Sequence, residues 1–327
     1  MGLRCETPRQ ARSGVALKSV RMITVLCGGV GAAKMLTGLR MVAPDHELLG
    51  IVNTGDDLWM HGLRICPDLD TITYTLAGLN NTETGWGLAG ESWRVMGELD
   101  ALGGDAWFSL GDRDLALHLY RTQRLNNGDS LSSITADVLA HFGVGLRLLP
   151  VSEDPIATRF STREHGWMSF QEYFVKFHHD VVVDALAFDG ALEARPTAGV
   201  LDAIRDAERI VISPSNPLIS IGPMVAIDAL RSALIARRDD VVVVSPLVGN
   251  KALKGPADRL LDELGFSASA SGVARFYREI AGTLVIDEHD AHDAPSVAAE
   301  SMRCVVAPTI MADPATSEAL AKVVLHG

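Results

Sequence analysis

The stretch that decides the fold is MITVLCGGVGAAK, residues 22–34. Its first six residues form an apolar run that predicts a buried strand, and a helical pattern follows over Ala32–Val42. The glycines between them allow a tight turn and close approach of backbone amides to a ligand, while a helix N-terminus favours an anion. A strand, a Gly-rich loop and a helix in this order predict a phosphate site in an α/β protein. A plain strand–helix turn is the alternative interpretation.

The loop differs from two well-known phosphate-binding motifs. Lys34 stands where the dinucleotide fingerprint has its third glycine or alanine, and no Gly-Lys-Ser/Thr follows at the spacing of a P-loop. The loop therefore predicts phosphate binding without identifying a dinucleotide.

Similar apolar runs recur along the chain and alternate with amphipathic stretches. The further strands are predicted at 48–52, 209–213, 241–245, 283–287 and 304–307, and helices at 199–208, 224–236, 256–264, 272–280 and 313–325. Runs that are apolar on both faces are typical of parallel strands covered by helices. The predicted fold class is α/β, with a Rossmann-like, doubly wound, mostly parallel sheet and an inserted, largely helical subdomain.

The predicted domain organisation has three parts. Residues 1–21 carry scattered arginines without an apolar signal segment and are interpreted as a flexible N-terminal extension. Residues 22–327 form a single catalytic α/β domain. Within it, about 86–189 break the alternation and predict a cap or insertion, with helices at 90–102, 114–125 and 130–142 and a hairpin at 158–168.

Composition excludes several classes of protein. The 327 residues include 29 Lys and Arg against 41 Asp and Glu, so the net charge is −12, and 47% hydrophobic residues exclude wholesale disorder. An acidic chain without a long basic run argues against nucleic acid or an anionic membrane as partner. The sequence contains no run of about 18 apolar residues, the length that a membrane-spanning helix would need. Four cysteines without CxxC pairing argue against a disulfide scaffold or zinc site and favour a cytoplasmic location.

Polar loops follow the predicted strands, where open parallel sheets bind their ligands. After the second strand comes NTGDD, residues 53–57, with the adjacent carboxylates Asp56 and Asp57. Two carboxylates beside a phosphate site indicate a metal- or hydroxyl-binding role, and an Asx turn is the alternative.

A second acidic pair lies in CPDLDT, residues 66–71. In an extended segment Asp68 and Asp70 point to one side, an arrangement that suits Mg²⁺. In the alternative, Asp68 caps a helix that begins near Asp70. Further along, Arg113 supplies a planar fork suited to phosphate or carboxylate.

The later strands end in a third group of polar residues. Prolines flank Ser215 and Asn216, and Ser220 follows closely, a rigid arrangement suited to reading a base or ribose edge. Lys251 and Lys254 could meet phosphates, although loop lysines are usually solvated.

Together these motifs resemble the 2-phospho-L-lactate transferase family of coenzyme F420 biosynthesis, in its actinobacterial branch. The resemblance extends from about Met22 to the C-terminus. It rests on GGVGAAK (28–34), NTGDD (53–57), CPDLDT (66–71), GWG (85–87), LGDRDLA (110–116), HLYRT (118–122), PSNPLISIGP (214–223) and SPLVGNKALKGPA (245–257).

The resemblance implies an Mg²⁺-dependent transferase that is commonly a homodimer. Its acceptor would be the deazaflavin Fo (7,8-didemethyl-8-hydroxy-5-deazariboflavin), and its donor a guanosine diphosphate conjugate of phospholactate or phosphoenolpyruvate. The 5′-hydroxyl of Fo attacks the phosphorus distal to guanosine, GMP leaves, and coenzyme F420-0 or its dehydro form results. The sequence leaves the choice between the two three-carbon acids open.

Roles for individual residues follow from combining the resemblance with the chemistry of each side chain. The diphosphate is assigned to the Gly-rich loop, Mg²⁺ or the attacking hydroxyl to acidic residues, and guanine or ribose to the loop at 215–220. The predicted catalytic residues are Asp57, Asp70 and Arg113; the metal ligands Asp57, Asp68 and Asp70; and the substrate-binding residues Gly28, Gly29, Gly31, Lys34, Asn53, Thr54, Asp56, Ser215, Asn216, Ser220 and Lys251.

Two rival functions remain open. One is a non-catalytic regulator that binds a nucleotide or nucleotide sugar on the same fold. The other is an NAD-dependent oxidoreductase, against which Lys34 and the absence of a single ribose-binding acid both argue.

Overall fold

The computed structural model describes residues 22–82 and 87–326. The predicted extension at 1–21 and most of the GWG motif, Gly85 and Trp86, lie outside the described residues. In chain order the strands are β1 (Ile23–Cys27), β2 (Leu48–Val52), β3 (Leu58–Met60), β4 (Leu63–Ile65), β5 (Arg147–Pro150), β6 (Ala157–Thr162), β7 (Gly166–Ser169), β8 (Val183–Asp189), β9 (Arg209–Ile212), β10 (Val241–Val244), β11 (Leu247–Val248), β12 (Lys251–Ala252), β13 (Thr283–Ile286) and β14 (Arg303–Val306).

Helices connect and cover these strands. They are α1 (Gly29–Val42), α2 (Pro67–Leu76), α3 (Arg94–Ala101), α4 (Asp112–Asn126), α5 (Leu131–His141), α6 (Val200–Asp206), α7 (Gly222–Val225), α8 (Asp228–Ala236), α9 (Ala257–Glu263), α10 (Ala270–Tyr277), α11 (Ala294–Ala299) and α12 (Pro314–His326). Short π-helical turns add Glu172–Lys176 and Pro217–Ile221, and 3-10 turns add Asp45–Glu47, Arg238–Asp240 and Glu288–Asp293.

Seven parallel strands form the central sheet, in the order β14-β13-β10-β9-β1-β2-β5. The chain runs from β1 to β2 and β5 on one side and then returns to β9 on the other. The direction of winding therefore reverses between β1 and β9, and such a switch point opens a crevice at the carboxyl ends of the strands. The predicted doubly wound α/β fold is confirmed.

Both faces of the sheet are buried, which explains why its strands are continuous apolar runs. Along β1, Val25 packs in the layer that includes α1 and α12, and Leu26 packs in the opposite layer with α6 and α8. Alternating side chains of each strand thus fill two separate cores.

The segment after β2 departs from the core in two places. A small hairpin, β3 with β4, precedes α2, and a three-stranded antiparallel sheet in the order β7-β6-β8 lies near its end. The hairpin predicted at 158–168 corresponds to β6 and β7. However, β5 pairs with β2 in the central sheet. The segment predicted as an insertion, about 86–189, therefore contains one strand of the core.

No single helix in the described ranges is long and apolar enough to cross a membrane. One pair of helices, Pro217–Val225 and Asp228–Ala236, reaches that length and composition when the two are counted together. The chain bends by 95° at the break between them. Cys27, Cys66 and Cys304 are free thiols.

The ends of β13 and β14 are joined through Asp287. Its carboxylate accepts hydrogen bonds from the amide and hydroxyl of Thr309, both at 2.9 Å, and from Nδ1 of His289 at 2.6 Å. Although burial opposes ionisation, the amides of Thr309 and His289 lower the pKa of Asp287 to about 2. In turn, the Asp287 carboxylate raises the pKa of His289.

We expect Asp287→Asn to lower the melting temperature most between about pH 4 and pH 6. A carboxyl group with a lowered pKa stabilises the fold above its unfolded value and loses that contribution as the pH falls towards 2. A histidine with a raised pKa, such as His289, stabilises the fold at low pH and loses that stabilising effect as the pH rises. Melting curves of the two proteins from pH 3 to pH 8 measure this, and a difference constant with pH would contradict it.

Candidate active site

The loops that follow β1 and β9 are joined by hydrogen bonds at the switch point. The Gly28 amide donates to Oγ of Ser215 at 3.2 Å, and that hydroxyl lies 2.7 Å from the Gly28 carbonyl oxygen. Gly29 has φ +66°, a backbone conformation that glycine adopts without strain. The first glycines of the loop thus turn the chain from β1 into α1 and hold it against β9.

Gly31 is packed against the backbone of the opposite loop. A Cβ atom added at this position would lie 2.3 Å from the carbonyl oxygen of Pro214. The third glycine of the loop is therefore required by the close approach of β1 and β9, whatever ligand lies nearby.

We expect Gly31→Ala to lower the stability by about 1–3 kcal/mol, because the loop after β9 must move to admit the methyl group. Gly97→Ala is the control, since nothing lies within 4 Å of a Cβ there. That change in the exposed helix α3 should raise the stability by about 0.5–1 kcal/mol. Chemical denaturation of both variants measures the two effects, and equal effects would contradict the packing argument.

The loop after β2 brings two carboxylates together through one amide. Nδ2 of Asn53 donates to Oδ1 of Asp56 at 3.2 Å and to Oδ2 of Asp68 at 3.0 Å. Its Oδ1 accepts the Gly55 amide at 2.8 Å, which fixes the loop as an Asx turn. The backbone of Gly29 lies beside the Asp68 carboxylate. Residues after β1 and β2 and at the start of α2 therefore meet in one cluster.

Asp68 and Asp70 do not share a side of an extended segment, so that expectation is wrong. Both lie in the first turn of α2, which begins at Pro67. Residues two apart on a helix point in nearly opposite directions. Asp68 accordingly faces the Gly-rich loop, and Asp70 faces Arg121 of α4.

Two of the four aspartates in the NTGDD and CPDLDT motifs have arginine partners. Arg64 donates to Oδ2 of Asp57 at 2.9 Å, and the guanidinium of Arg121 binds both oxygens of Asp70. Arg121 is 4% exposed. Among the described residues, no lysine or arginine forms an ion pair with Asp56 or Asp68. The excess negative charge of the cluster thus resides on these two side chains.

Burial and mutual repulsion oppose ionisation of the cluster. Burial raises the pKa of Asp68 to about 7, and burial also raises the pKa of Asp57 to about 6 despite Arg64. For Asp56, burial and the nearby carboxylate of Asp68 raise the pKa well above its usual range. A bound cation would relieve both effects, so the cluster is suited to a metal ion.

Arg121 is also part of a buried network that the sequence analysis did not predict. It donates to Nδ1 of His118 at 3.2 Å, and the Tyr74 hydroxyl donates to Asp114 at 2.5 Å. Since arginine only donates, Nδ1 accepts and the histidine proton resides on Nε2, which is buried without a hydrogen-bond partner in the described residues. Asp70, Asp114 and His118 could together ligate a metal, but the guanidinium occupies that position. The network thus fixes α2 against α4.

Three predicted cationic residues do not join the cluster. Nζ of Lys34 donates to the Met311 carbonyl oxygen at 2.8 Å, and the Arg113 guanidinium donates to the carbonyl oxygen of Ala89 at 2.5 Å. Lys251 is exposed and lies 3.3 Å from Asp258. The catalytic role of Arg113 and the substrate-binding roles of Lys34 and Lys251 stay predictions.

The loop after β9 supplies the other side of the crevice. Oδ1 of Asn216 accepts the amides of Leu218 and Ile219, while its Nδ2 is buried without a partner in the described part of the chain. Ser220 packs against Gly28, where a Cβ would lie 2.4 Å from the serine Cβ. This loop thus offers one free buried donor, the Asn216 amide.

A cavity of about 580 Å³ adjoins the acidic cluster. Its walls come from the loop after β2, the β3–β4 hairpin, the segment before α4 and the β6–β7 hairpin. Aromatic side chains of Trp59, Trp107 and Phe170 share the lining with Asp56 and Asp57. Oδ1 of Asp57 is buried without a hydrogen-bond partner among the described residues. The cavity combines apolar surfaces with unsatisfied polar atoms, as small-molecule sites do.

Thr54 lies in the loop after β2 that also carries Asp56 and Asp57. It was predicted to bind substrate, although no particular substrate group was assigned to it. Its side chain is 1% exposed, and its hydroxyl has no hydrogen-bond partner within the described ranges. The hydroxyl is available to a ligand, and its predicted role remains untested.

Comparison with known proteins gives consistent matches over nearly the whole chain. The family model described as "2-phospho-L-lactate transferase CofD" matches residues 23–321. A phosphoenolpyruvate transferase of Streptomyces griseus is 42% identical, covering 93% of this chain and 97% of that protein. The enzymes of that name from Streptomyces coelicolor and Mycolicibacterium smegmatis are 40% and 38% identical; they cover 89% and 92% of this chain and align over 93% and 96% of their own lengths.

Among solved structures, a member of the UPF0052 family from Bacillus halodurans is similar. It has a TM-score of 0.63 at 13% identity and covers 94% of this chain and 99% of that chain. At that identity the likeness concerns the fold alone.

Proposed function

The chain belongs to the 2-phospho-L-lactate transferase CofD family, and from this premise we propose that it transfers a phospholactyl or phosphoenolpyruvyl group from a guanosine diphosphate conjugate to the deazaflavin Fo. The names of its relatives support a transferase that uses phosphoenolpyruvate. The 5′-hydroxyl of Fo forms a bond to the phosphorus distal to guanosine, the bond from that phosphorus to GMP breaks, and the hydroxyl proton passes to a base.

One observation carries the proposal: Asp56 and Asp68 converge on the Asn53 amide, and neither pairs with a lysine or arginine of the described residues. Two carboxylates beside a phosphate site are the usual protein ligands of Mg²⁺, which completes its shell with waters and phosphate oxygens. Asp56 and Asp68 would therefore hold Mg²⁺. When bound, the ion would offset the negative charge of the diphosphate.

This assignment changes the predicted ligand set. Asp57 and Asp70 were grouped with Asp68 as metal ligands, but each has an arginine partner. Asp56, assigned to substrate binding, takes their place. Arginine neutralises the charge that would attract the ion, so the unpaired carboxylates are the better ligands.

Asp57 is suited to accept the proton of the attacking hydroxyl. Its Oδ1 is free, it lines the cavity, and its pKa is raised to about 6 by burial. A base of that pKa is largely ionised at neutral pH and still accepts a proton readily. Arg64 fixes the other oxygen and so sets the direction of the free one.

The aromatic side of the cavity is suited to the deazaflavin. A planar ring stacks on aromatic side chains, and Trp59 and Trp107 offer such faces beside Asp57. Across the cluster, the guanosine end of the donor would lie in the β1–β9 crevice, where the free amide of Asn216 could donate to a base or ribose oxygen. This arrangement places the two substrates on opposite sides of the reacting phosphorus.

A mass-spectrometric assay with Fo, Mg²⁺ and each guanosine diphosphate conjugate tests the proposal. We expect a product in which Fo carries the three-carbon acid through a phosphodiester, together with one equivalent of GMP, and no product after removal of the divalent ion. A chain that binds GDP but forms no product with either donor would favour the nucleotide-binding regulator instead.

A further inference from the structure

Arg159 is a cation in the cavity wall without a strong partner. It lies on β6, the middle strand of the three-stranded sheet, opposite Ser169 of β7 and Ala187 of β8. The Arg159 side chain is 38% exposed, but its Nε is buried and has no hydrogen-bond partner in the described ranges. A buried donor without a partner costs free energy, so such an atom points to a ligand that satisfies it.

The acidic groups around Arg159 do not satisfy it. Asp189 is 59% exposed and lies 3.5 Å from the nearer terminal nitrogen, a distance too long for a good hydrogen bond. Glu172 lines the same cavity, but one of its oxygens already accepts the amide and hydroxyl of Ser169, each at 2.9 Å. By contrast, Arg64 and Arg121 bind their carboxylates directly.

The position of Arg159 relative to the acidic cluster is fixed by the backbone. The amide of the preceding residue, Thr158, donates to the Gly55 carbonyl oxygen at 2.8 Å, which ties β6 to the loop that carries Asp56. The Thr158 hydroxyl is also buried and unpartnered among the described residues. Thr158 and Arg159 both line the cavity that adjoins the proposed metal ligands.

Charge explains why a cation is needed here. The cavity wall contains Asp56, Asp57, Asp105 and Glu172, which would repel an anionic group of a substrate. Of the lining residues, only Arg159 and the exposed Lys176 carry a full positive charge. A guanidinium matches the two oxygens of a carboxylate in a planar, bidentate arrangement.

We propose that Arg159 binds the carboxylate of the three-carbon acid in the donor. This inference rests on the proposed function. In both candidate donors the carboxylate carbon is two bonds from the ester oxygen on the reacting phosphorus. Asp56 lines the same cavity as Arg159, so a donor whose phosphorus lies at Asp56 and Asp68 could extend its carboxylate into that cavity. Arg159 accordingly recognises the feature common to phospholactate and phosphoenolpyruvate and selects against donors that lack the charge.

The test compares each donor with its carboxamide analogue in wild-type protein, Arg159→Met and Arg159→Lys. Loss of a bidentate charged contact should reduce the preference for the carboxylate donor by about 10- to 100-fold in Arg159→Met. The effect should appear in KM with kcat little changed, because the contact is made equally before and during the reaction. Arg159→Lys keeps the charge without the fork and should recover part of the preference.

Arg163→Met is the matched control, since Arg163 follows on the same hairpin and pairs only with Asp184 at the surface. It should keep the wild-type preference. An Arg159→Met variant with an unchanged melting temperature and an undiminished preference would overturn this inference while leaving the transferase proposal intact. If the wild-type protein forms no product from any donor, both fail together.

Discussion

Asp68→Asn is expected to lower turnover at least about 100-fold while leaving the fold intact, an effect typical of losing one preorganised charged group in an active site. The substitution removes the negative charge beside Asp56 but keeps an oxygen that can accept the Asn53 amide. Binding of Mg²⁺ should weaken in parallel, since an amide oxygen is a poorer ligand than a carboxylate. Product formation and calorimetric titration with Mg²⁺ measure the two losses separately.

The stability of the same variant should move in the opposite direction from its activity. In the free protein, burial and the neighbouring carboxylate raise the pKa of Asp56, so the two charges destabilise each other. Removing one charge relieves that repulsion, and the melting temperature should be unchanged or higher. A residue whose loss abolishes activity and improves stability is serving function at the expense of the fold.

Asp184→Asn is the control, because it removes a carboxylate that lies outside the proposed metal site. Asp184 is exposed and pairs with Arg163 at 3.2 Å, and neither residue has a role in the proposed site. It should keep both turnover and Mg²⁺ affinity. If Asp68→Asn retained near wild-type, Mg²⁺-dependent turnover, Asp68 would have no part in holding the ion.

Most strands of the central sheet were predictable because they are buried on both faces and consist of apolar residues at nearly every position. The exception is β5, Arg147–Pro150, which begins with an exposed arginine and ends in proline. Its two leucines have no periodicity that separates them from a loop, and its place beside β2 is decided by tertiary pairing. The segment predicted as an insertion therefore wrongly included β5, a strand of the central sheet.

The start of α2 was predicted only as an alternative interpretation, a helix capped by Asp68 and beginning near Asp70. Proline at the first helical position, followed by acidic residues in the first turn, is typical of a helix start, and the helix begins at Pro67. The other interpretation, an extended segment in which Asp68 and Asp70 share a side, is wrong. That difference matters, because only the helix separates the two carboxylates and sends them to different partners.

The division of roles among the aspartates could not be predicted from the sequence. Asp57 and Asp70 differ from Asp56 and Asp68 only in having arginine partners, and those partners lie 7 and 51 residues further along the chain. Arg121 belongs to the HLYRT motif, yet nothing in its local pattern distinguishes a buried ion pair from a solvated helix face. Side-chain pairing of this kind depends on how α2 and α4 pack.

Asp70→Ala is expected to destabilise the protein by about 3–5 kcal/mol, the second large effect. Arg121 is 4% exposed and would lose the carboxylate that binds its guanidinium on two oxygens. An uncompensated buried charge costs far more than the net value of the pair. Its other acceptors, His118 Nδ1 and the Arg64 carbonyl oxygen, are not carboxylates, and the nearby Asp57 and Asp114 already bind Arg64 and Tyr74. Urea denaturation compares the free energy of unfolding with that of the wild type.

The double variant Asp70→Ala with Arg121→Met separates a structural from a catalytic role for Asp70. Because it leaves no buried charge unpaired, it should recover at least half of the stability lost in Asp70→Ala, a coupling that a double-mutant cycle measures directly. It should also bind Mg²⁺ with near wild-type affinity, since Asp56 and Asp68 are unchanged. A double variant that is stably folded yet unable to bind Mg²⁺ would return Asp70 to the metal site and remove the argument that its arginine partner disqualifies it.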